Sequence, residues 1–185
     1  MRWKIRKPIT LANGAKYRGE LLGGLKDGYG IQVWQDGSRY EGQWKKDQAN
    51  GFGKMVHADG NVYEGQWLND KAHGYGTFTH SKGGSYQGEW KNNLREGKGQ
   101  EKLPDGSEYD GLYSEGMKNG EGELKFADGS MYQGTFLNNQ MSGMGKYTWP
   151  DGKAYEGSWE NNKARGHGVL TLKDGKKIEG KFNQQ

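Results

Sequence analysis

The sequence predicts an all-β chain: an elongated, twisted, single-layer antiparallel sheet of consecutive β-hairpins, built from 23-residue repeats. Three observations predict it. A tyrosine returns every 23 residues, at Tyr17, Tyr40, Tyr63, Tyr86, Tyr109, Tyr132 and Tyr155, with Ile178 in the eighth place. Glycine recurs at four fixed phases of the unit, which together hold 30 of the 34 glycines. Asp-Gly stands at one phase in six units, as in Asp36-Gly37 and Asp59-Gly60, with Asn13-Gly14 and Lys82-Gly83 as its variants. A period this short marks a repeat array, in which a unit too small to bury a core of its own stacks on its neighbours.

The elements follow in chain order. Trp3 and Ile5 alternate with Arg2, Lys4 and Arg6, so residues 3–11 read as a capping strand, and Pro8 suits a sheet edge. With each tyrosine as phase zero, the segment typified by Tyr63-Glu64-Gly65-Gln66-Trp67 is the first strand of a unit. Phases 0, +2 and +4 share one face, and +1 and +3 point the other way. A six-residue loop then leads to a second strand, in which the glycines at +11 and +13 share a face with mostly apolar residues at +15 and +17. Asp-Gly closes the hairpin to the next unit, because glycine supplies positive φ at little cost. A three-residue turn with glycine last sets the register. Phase 0 then faces +15, the +2 glycine faces the +13 glycine, and the +4 aromatic lies beside the +11 glycine. The same pairing is expected across the six-residue loop. Aromatic rings lying over glycines account for glycine inside strands, where it otherwise destabilises.

The domain organisation expected is a basic N-terminal segment with its capping strand over 1–13, a repeat array over 14–182 (seven full repeats and a terminal half), and a tail over 183–185. The chain has no cysteine and therefore no disulfide framework or thiolate metal site. It lacks an apolar run long enough for a membrane span, and its N-terminus lacks the pattern of a signal peptide. A cytoplasmic protein is the expectation. The net charge of +4 is concentrated in residues 1–16, which carry five basic side chains and no acid. The array is close to neutral, which argues against nucleic acid as a partner.

Tyr-Glu-Gly-Gln-Trp, then Gly-x-Gly, then Asp-Gly, repeated at 23 residues, resembles the MORN repeat (membrane occupation and recognition nexus). Tyr40 to Gly60 and Tyr155 to Gly175 carry the likeness best, and it extends over about residues 14–182. Arrays of this kind occur beside lipid-kinase and lysine-methyltransferase domains, in junctional membrane tethers, in radial spoke heads and in protist cytoskeletal scaffolds. With no sequence outside the array that could form a catalytic domain, the resemblance implies a MORN-only, non-catalytic scaffold or adaptor for protein–protein interaction. It further implies a cytoskeletal, ciliary or axonemal setting. A phospholipid-binding membrane tether is the alternative.

Candidate partner-binding residues are Tyr40, Trp44, Tyr63, Trp67, Tyr86, Trp90, Tyr155 and Trp159, because a single-layer sheet has no second layer to cover its aromatic face. An amphipathic helix, an extended segment or a second copy in a homodimer would cover it. Arg2, Trp3, Lys4, Arg6 and Lys7 form a candidate patch for weak contact with an anionic lipid surface or an acidic protein tail. His57 and His80 share phase +17 but lie two strands apart, about 9–10 Å, too far to hold one ion, so neither metal nor cofactor is expected. The acids at phase +1 lack a companion nucleophile or general acid. Phase +12 changes character along the chain, from Tyr29, Phe52 and Tyr75 to Lys98 and Glu121, so a partner reading that second face would distinguish the two halves.

Overall fold

The +20 glycine makes the turn that the sequence demands. In the computed structural model, which describes residues 2–183, Gly37 has φ 90° and donates its N–H to the Trp34 carbonyl at 3.1 Å. Trp34 N–H closes the hairpin on Ser38 at 2.9 Å, and the Asp36 carboxylate accepts the Ser38 N–H at 2.9 Å. This is a three-residue connection with glycine last, and its hydrogen bonds recur at each Asp-Gly. Asparagine or aspartate at +19 adds the side-chain acceptor that holds the residue after the glycine.

The described residues contain seventeen strands and no helix. They fall into two compact units, residues 1–94 and 95–185. In the first lie β1 (Arg2–Lys4), β2 (Ile9–Thr10), β3 (Lys16–Leu22), β4 (Leu25–Val33), β5 (Arg39–Lys45), β6 (Gln48–Val56), β7 (Val62–Leu68), β8 (Lys71–Thr79) and β9 (Ser85–Lys91). β10 (Leu94–Lys102), all but its first residue, belongs to the second. β11 (Glu108–Ser114), β12 (Met117–Lys125), β13 (Met131–Leu137), β14 (Gln140–Thr148), β15 (Ala154–Glu160), β16 (Lys163–Thr171) and β17 (Lys177–Asn183) follow. Within each unit, the repeat strands pair antiparallel with their neighbours in sequence, as an open sheet of consecutive hairpins. Across the Asp-Gly turn the register is the expected one: Gln32 faces Tyr40, Gly30 faces Gly42 and Gly28 faces Trp44.

Inside each repeat the structure corrects the expectation. In place of a six-residue loop there is a two-residue turn whose two residues are both left-handed: Lys46 and Asp47 at φ 48° and 69°, Asn69 and Asp70 at 49° and 63°, Asn161 and Asn162 at 50° and 66°. Two successive positive φ values define the mirror-image turn that matches strand twist, and Asn, Asp and Gly tolerate them best. The strands run on through the expected loop and a bulge absorbs the mismatch. Gly42 faces Gly53, but Trp44 then faces Ala49, so within its own repeat the +4 aromatic meets phase +9 rather than +11. Gly51, at φ 98°, is the bulged residue.

The new turns also clamp neighbouring repeats. Asp47 donates its N–H to the Lys26 carbonyl and accepts the Lys26 N–H on its carboxylate, at 2.9 and 2.8 Å. Asp70 with Ala49, Asn93 with Ala72, Asn139 with Lys118 and Asn162 with Met141 repeat this exchange.

The capping strand is two short strands instead of one. Trp3 faces Leu21 and Ile9 faces Tyr17, both along β3, and the Ile5 N–H still reaches the Gly19 carbonyl at 2.7 Å. Residues 5–8 span only two positions of β3, and Pro8 has no N–H to add to the ladder. Of the tail expected at 183–185, Asn183 ends β17 and the rest lies outside the described residues.

Candidate functional site

Within each unit the aromatic candidates sit in a row, and the row is closed. Tyr17, Tyr40, Tyr63, Tyr109, Tyr132 and Tyr155 each lie over a glycine pair. A Cβ on Gly76 would stand 2.4 Å from the Tyr63 hydroxyl and 2.6 Å from Cζ, so the ring occupies space that only glycine leaves. The hydroxyl donates to the +3 carbonyl that the bulge turns away from the ladder, at 2.8 Å from Tyr17 to Glu20 and from Tyr63 to Gln66. The +4 tryptophans stand edge-on between tyrosines. Trp67 meets Tyr40 at 5.3 Å and Tyr63 at 5.0 Å, with interplanar angles of 90° and 87°. Edge-to-face geometry puts the positive ring edge against the negative face. The indole N–H groups donate to backbone of the preceding repeat: Trp44 to Gly30, Trp67 to Gly53, Trp90 to Gly76 and Trp159 to Gly145, at 3.0–3.1 Å.

Tyr40, Tyr63, Tyr86 and Tyr155 are therefore 1–3 % exposed, Trp44, Trp90 and Trp159 are buried, and Trp67 is half-buried. This corrects the expectation of an uncovered aromatic face. Neighbouring repeats cover the rings, and Trp67 is the least covered of the eight. Burial pushes the Tyr17 hydroxyl up to about 12, helped by the carboxylates of Glu20 and Asp47, and raises those of Tyr40 and Tyr63 further. These hydroxyls are permanent donors, unsuited to acid–base chemistry near neutrality.

One part of the row is ionic. Glu101 stands at phase +15, where other repeats carry Met55, Phe78 or Leu170. Its carboxylate accepts from Arg95 at 2.6 Å, Lys118 at 2.5 Å and the Tyr113 hydroxyl at 3.0 Å. Burial raises the Glu101 carboxyl, but the Lys118 hydrogen bond, the two cations and Tyr113 outweigh it, and the carboxyl stays below its usual range. Arg95 and Lys118 both occupy phase +9. Lys26, at the same phase, reaches Gln32 at 2.7 Å and lies 3.8 Å from the Trp44 ring centroid. A cation at +9 goes with a polar residue at +15 in its own repeat at Lys26 and Gln32 and at Arg95 and Glu101. The sequence reading missed this cluster because it placed phase +9 in a loop.

The exposed side chains lie on the opposite face. Tyr29 is 52 % exposed, Phe52 59 % and Tyr75 52 %. Each follows a positive-φ bulge glycine, and its N–H is held by the +3 side chain: Glu20 for Tyr29, Gln43 for Phe52 and Gln66 for Tyr75. A cleft of about 590 Å³ lies between Phe52 and Tyr75, with Val62, Glu64, Thr77 and Thr79 in its walls. In the N-terminal patch, Trp3 is 61 % exposed and Lys4, Arg6 and Lys7 are exposed; the Arg2 side chain lies outside what is described. Among the described residues no group of three or more His, Asp or Glu side chains is placed to hold a metal ion.

A solved structure of the same fold type is found at low sequence identity, with weaker likenesses beside it. The TCP domain of SAS-4 (dCPAP) of Drosophila melanogaster, solved in complex with a proline-rich motif of Ana2 (dSTIL), is 14 % identical. The similarity covers 95 % of this chain and 89 % of that one, with a TM-score of 0.52. The TCP10c domain of D. melanogaster Sas-4 gives 14 % identity over 94 % and 96 % of the two chains at a TM-score of 0.46. The TCP10 domain of Danio rerio CPAP gives 11 % over 95 % and 94 % at 0.34. No curated protein matches the sequence. The MORN-repeat family model matches seven consecutive units, 17–39, 40–62, 63–85, 86–108, 109–131, 132–154 and 155–177, and the chain belongs to the MORN-repeat family.

Proposed function

We propose that this chain is a non-catalytic scaffold or adaptor that docks a protein segment in a cytoskeletal assembly, with a cilium or axoneme as its setting. One observation carries the reading. The repeats commit their tyrosines, tryptophans and glycines to internal packing and, in the first unit, hold large apolar side chains outward at fixed intervals on the other face. Exposed apolar groups on a rigid frame mark contact surfaces. The Drosophila SAS-4 domain, which shares this type of sheet, is solved in complex with a proline-rich motif of Ana2, which favours a peptide-docking role here too. The tryptophan edges of Trp44, Trp67, Trp90 and Trp159 are a second docking route, and segment 1–13 would tune placement.

The test is a tagged pull-down from ciliated cells with mass spectrometry. Reproducible capture of axonemal or other cytoskeletal proteins is expected; turnover of a substrate by the purified chain would overturn the non-catalytic reading.

The exposed Trp3 beside Lys4, Arg6 and Lys7 favours a second reading, a phospholipid tether. An interfacial aromatic with adjacent cations suits an anionic membrane surface. Sedimentation with phosphatidylserine vesicles decides it. Binding that falls with salt and is lost in Lys4→Glu/Arg6→Glu/Lys7→Glu supports the tether, and indifference to vesicles removes it.

A further inference from the structure

Tyr29, Phe52 and Tyr75 stand on alternate strands β4, β6 and β8, and the strands between them contribute glutamine. Tyr29 faces Gln43 and Phe52 faces Gln66 across the paired strands, while Gln43 caps the Phe52 N–H and Gln66 caps that of Tyr75. Tyr29, Gln43, Phe52, Gln66 and Tyr75 thus form one ladder across the sheet, aromatic and amide in turn, with all five side chains exposed. We propose that this ladder is a docking site for a proline-rich segment in the polyproline II conformation, with apolar residues at every third position on the rings. The proposal rests on the scaffold reading and names its site and partner class.

Pitch decides between occupants. Two strand spacings put successive rings about 9.6 Å apart. A polyproline II helix has three residues per turn and advances about 9.3 Å per turn, so residues i, i+3 and i+6 meet three rings with a cumulative error of about 0.6 Å. An extended strand presents one face every 6.7 Å or so and misses the second ring. An α-helix returns to the same face after seven residues, about 10.5 Å, and drifts by about 1.8 Å over the three rings. Seven residues of polyproline II, about 19 Å between first and last, span the ladder.

The chemistry of the strip agrees. Polyproline II makes no internal hydrogen bonds and leaves its carbonyls seeking donors. Gln43 and Gln66 present side-chain amides between the rings, at the half-pitch where those carbonyls pass. Prolines fit the aromatic faces, with little conformational entropy to lose on binding. Charges between the rings are paired, with Glu20 and Glu89 standing at the two ends of the strip: Arg39 pairs with Glu41, which also accepts from the Tyr29 hydroxyl at 2.7 Å, and Lys54 pairs with Glu64 at 3.3 Å. A strip whose charges between the rings are matched internally is complementary to an uncharged segment, and that commits the occupant to apolar, proline-rich sequence. The same phase in the second unit carries Lys98, Glu121, Met144 and His167, which make no aromatic ladder.

The test is fluorescence anisotropy of a fluorescein-labelled decaproline peptide titrated with the full 185-residue chain. Saturable binding is expected, weakened about tenfold or more by Phe52→Ala/Tyr75→Ala, as for a central aromatic anchor. Met144→Ala, at the same phase in the second unit, should change it by no more than about twofold. All three substituted side chains are exposed, and circular dichroism checks that the variants fold. No saturable binding of decaproline, or equal binding by wild type and the double variant, overturns the proposal. The pull-down separates this from the scaffold reading. Cytoskeletal partners held equally by wild type and Phe52→Ala/Tyr75→Ala leave the scaffold standing and remove the ladder; no specific partner for wild type removes the scaffold itself.

Discussion

At the scale of single residues, the glycines of this chain do two different things, and substitution separates them. Gly76 is overlain by the Tyr63 ring, whereas Gly152, at φ 89°, has open space where its Cβ would be. Gly76→Ala should cost about 3 kcal/mol, the upper end of overpacking penalties, because the obstacle is a ring held by Trp67 and Trp90 and not a flexible chain end. Gly152→Ala should cost only the left-handed strain, about 1–2 kcal/mol. Urea denaturation checks both, and equal losses would remove the steric argument. Glu101 gives a second residue-scale prediction. Glu101→Gln leaves Arg95 and Lys118 without their shared carboxylate and should cost about 3–5 kcal/mol at neutral pH, as for breaking a buried ion pair. The triple variant Arg95→Ala/Glu101→Leu/Lys118→Ala restores the Ala164 and Leu170 pattern of a later repeat and should lose far less or gain stability. Because the folded carboxyl lies below its ordinary 4.5, its contribution is present above that pH and disappears as pH falls through the folded value. The gap between wild type and Glu101→Gln should therefore narrow as pH falls below the ordinary carboxylate range and through the depressed folded value, measured by thermal melts across pH.

At the scale of elements, the Asp-Gly hairpin was legible in sequence and the second turn was not. Asp36-Gly37 carries its own geometry, since glycine last in a three-residue turn leaves one workable register. Lys46-Asp47 and Asn161-Asn162 carry the mirror-image turn in residues that also suit irregular loops, and the bulge at Gly51 or Gly166 conceals the continuation of the strand. The tolerance of Asn and Asp for positive φ is a weak signal beside the strong one of glycine. Missing it hid phase +9, and with it the ionic cluster. The turn predicts its own ranking of variants. Asp70→Gly keeps φ 63° accessible and loses only the carboxylate that accepts the Ala49 N–H, whereas Asp70→Ala loses both. The glycine variant should cost about 1 kcal/mol and the alanine variant about 2–3 kcal/mol, from a lost hydrogen bond with and without left-handed strain. The facing assignment makes a parallel prediction on β7. Trp67→Ala should cost about 2–4 kcal/mol as a large-to-small change in a packed row, and Gln66→Ala about 0.5–1.5 kcal/mol for the capped Tyr75 N–H. Equal losses would mean that the two faces have been exchanged.

For the whole molecule, a 23-residue period of tyrosine, tryptophan, glycine and Asp-Gly was enough to give the family, the hairpin sheet and which face its rings pack. What it did not give was closure of that face. Exposure of Tyr40 or Trp44 depends on the tilt of the next repeat's indole, a three-dimensional property that alternation along one strand does not encode. The attention that the sequence drew to the tyrosine–tryptophan rows therefore moves, in the structure, to the plainer phase +12 on the other side. The same architecture dictates how damage spreads. Within each unit the repeat strands pair with their sequence neighbours, and turns clamp the repeat before them, so stability is a sum of local and nearest-neighbour terms. Removing the Trp67 ring takes away its contacts with Tyr40 and Tyr63 and its bond to Gly53, all within β5 to β7. Native-state hydrogen exchange of Trp67→Ala should accelerate by about tenfold or more for amides of β5 to β8, where opening is local, while amides of β15 and β16 stay within about twofold of wild type. Uniform acceleration along the chain would show that the repeats unfold as one cooperative block, and the nearest-neighbour account of this array would then be wrong.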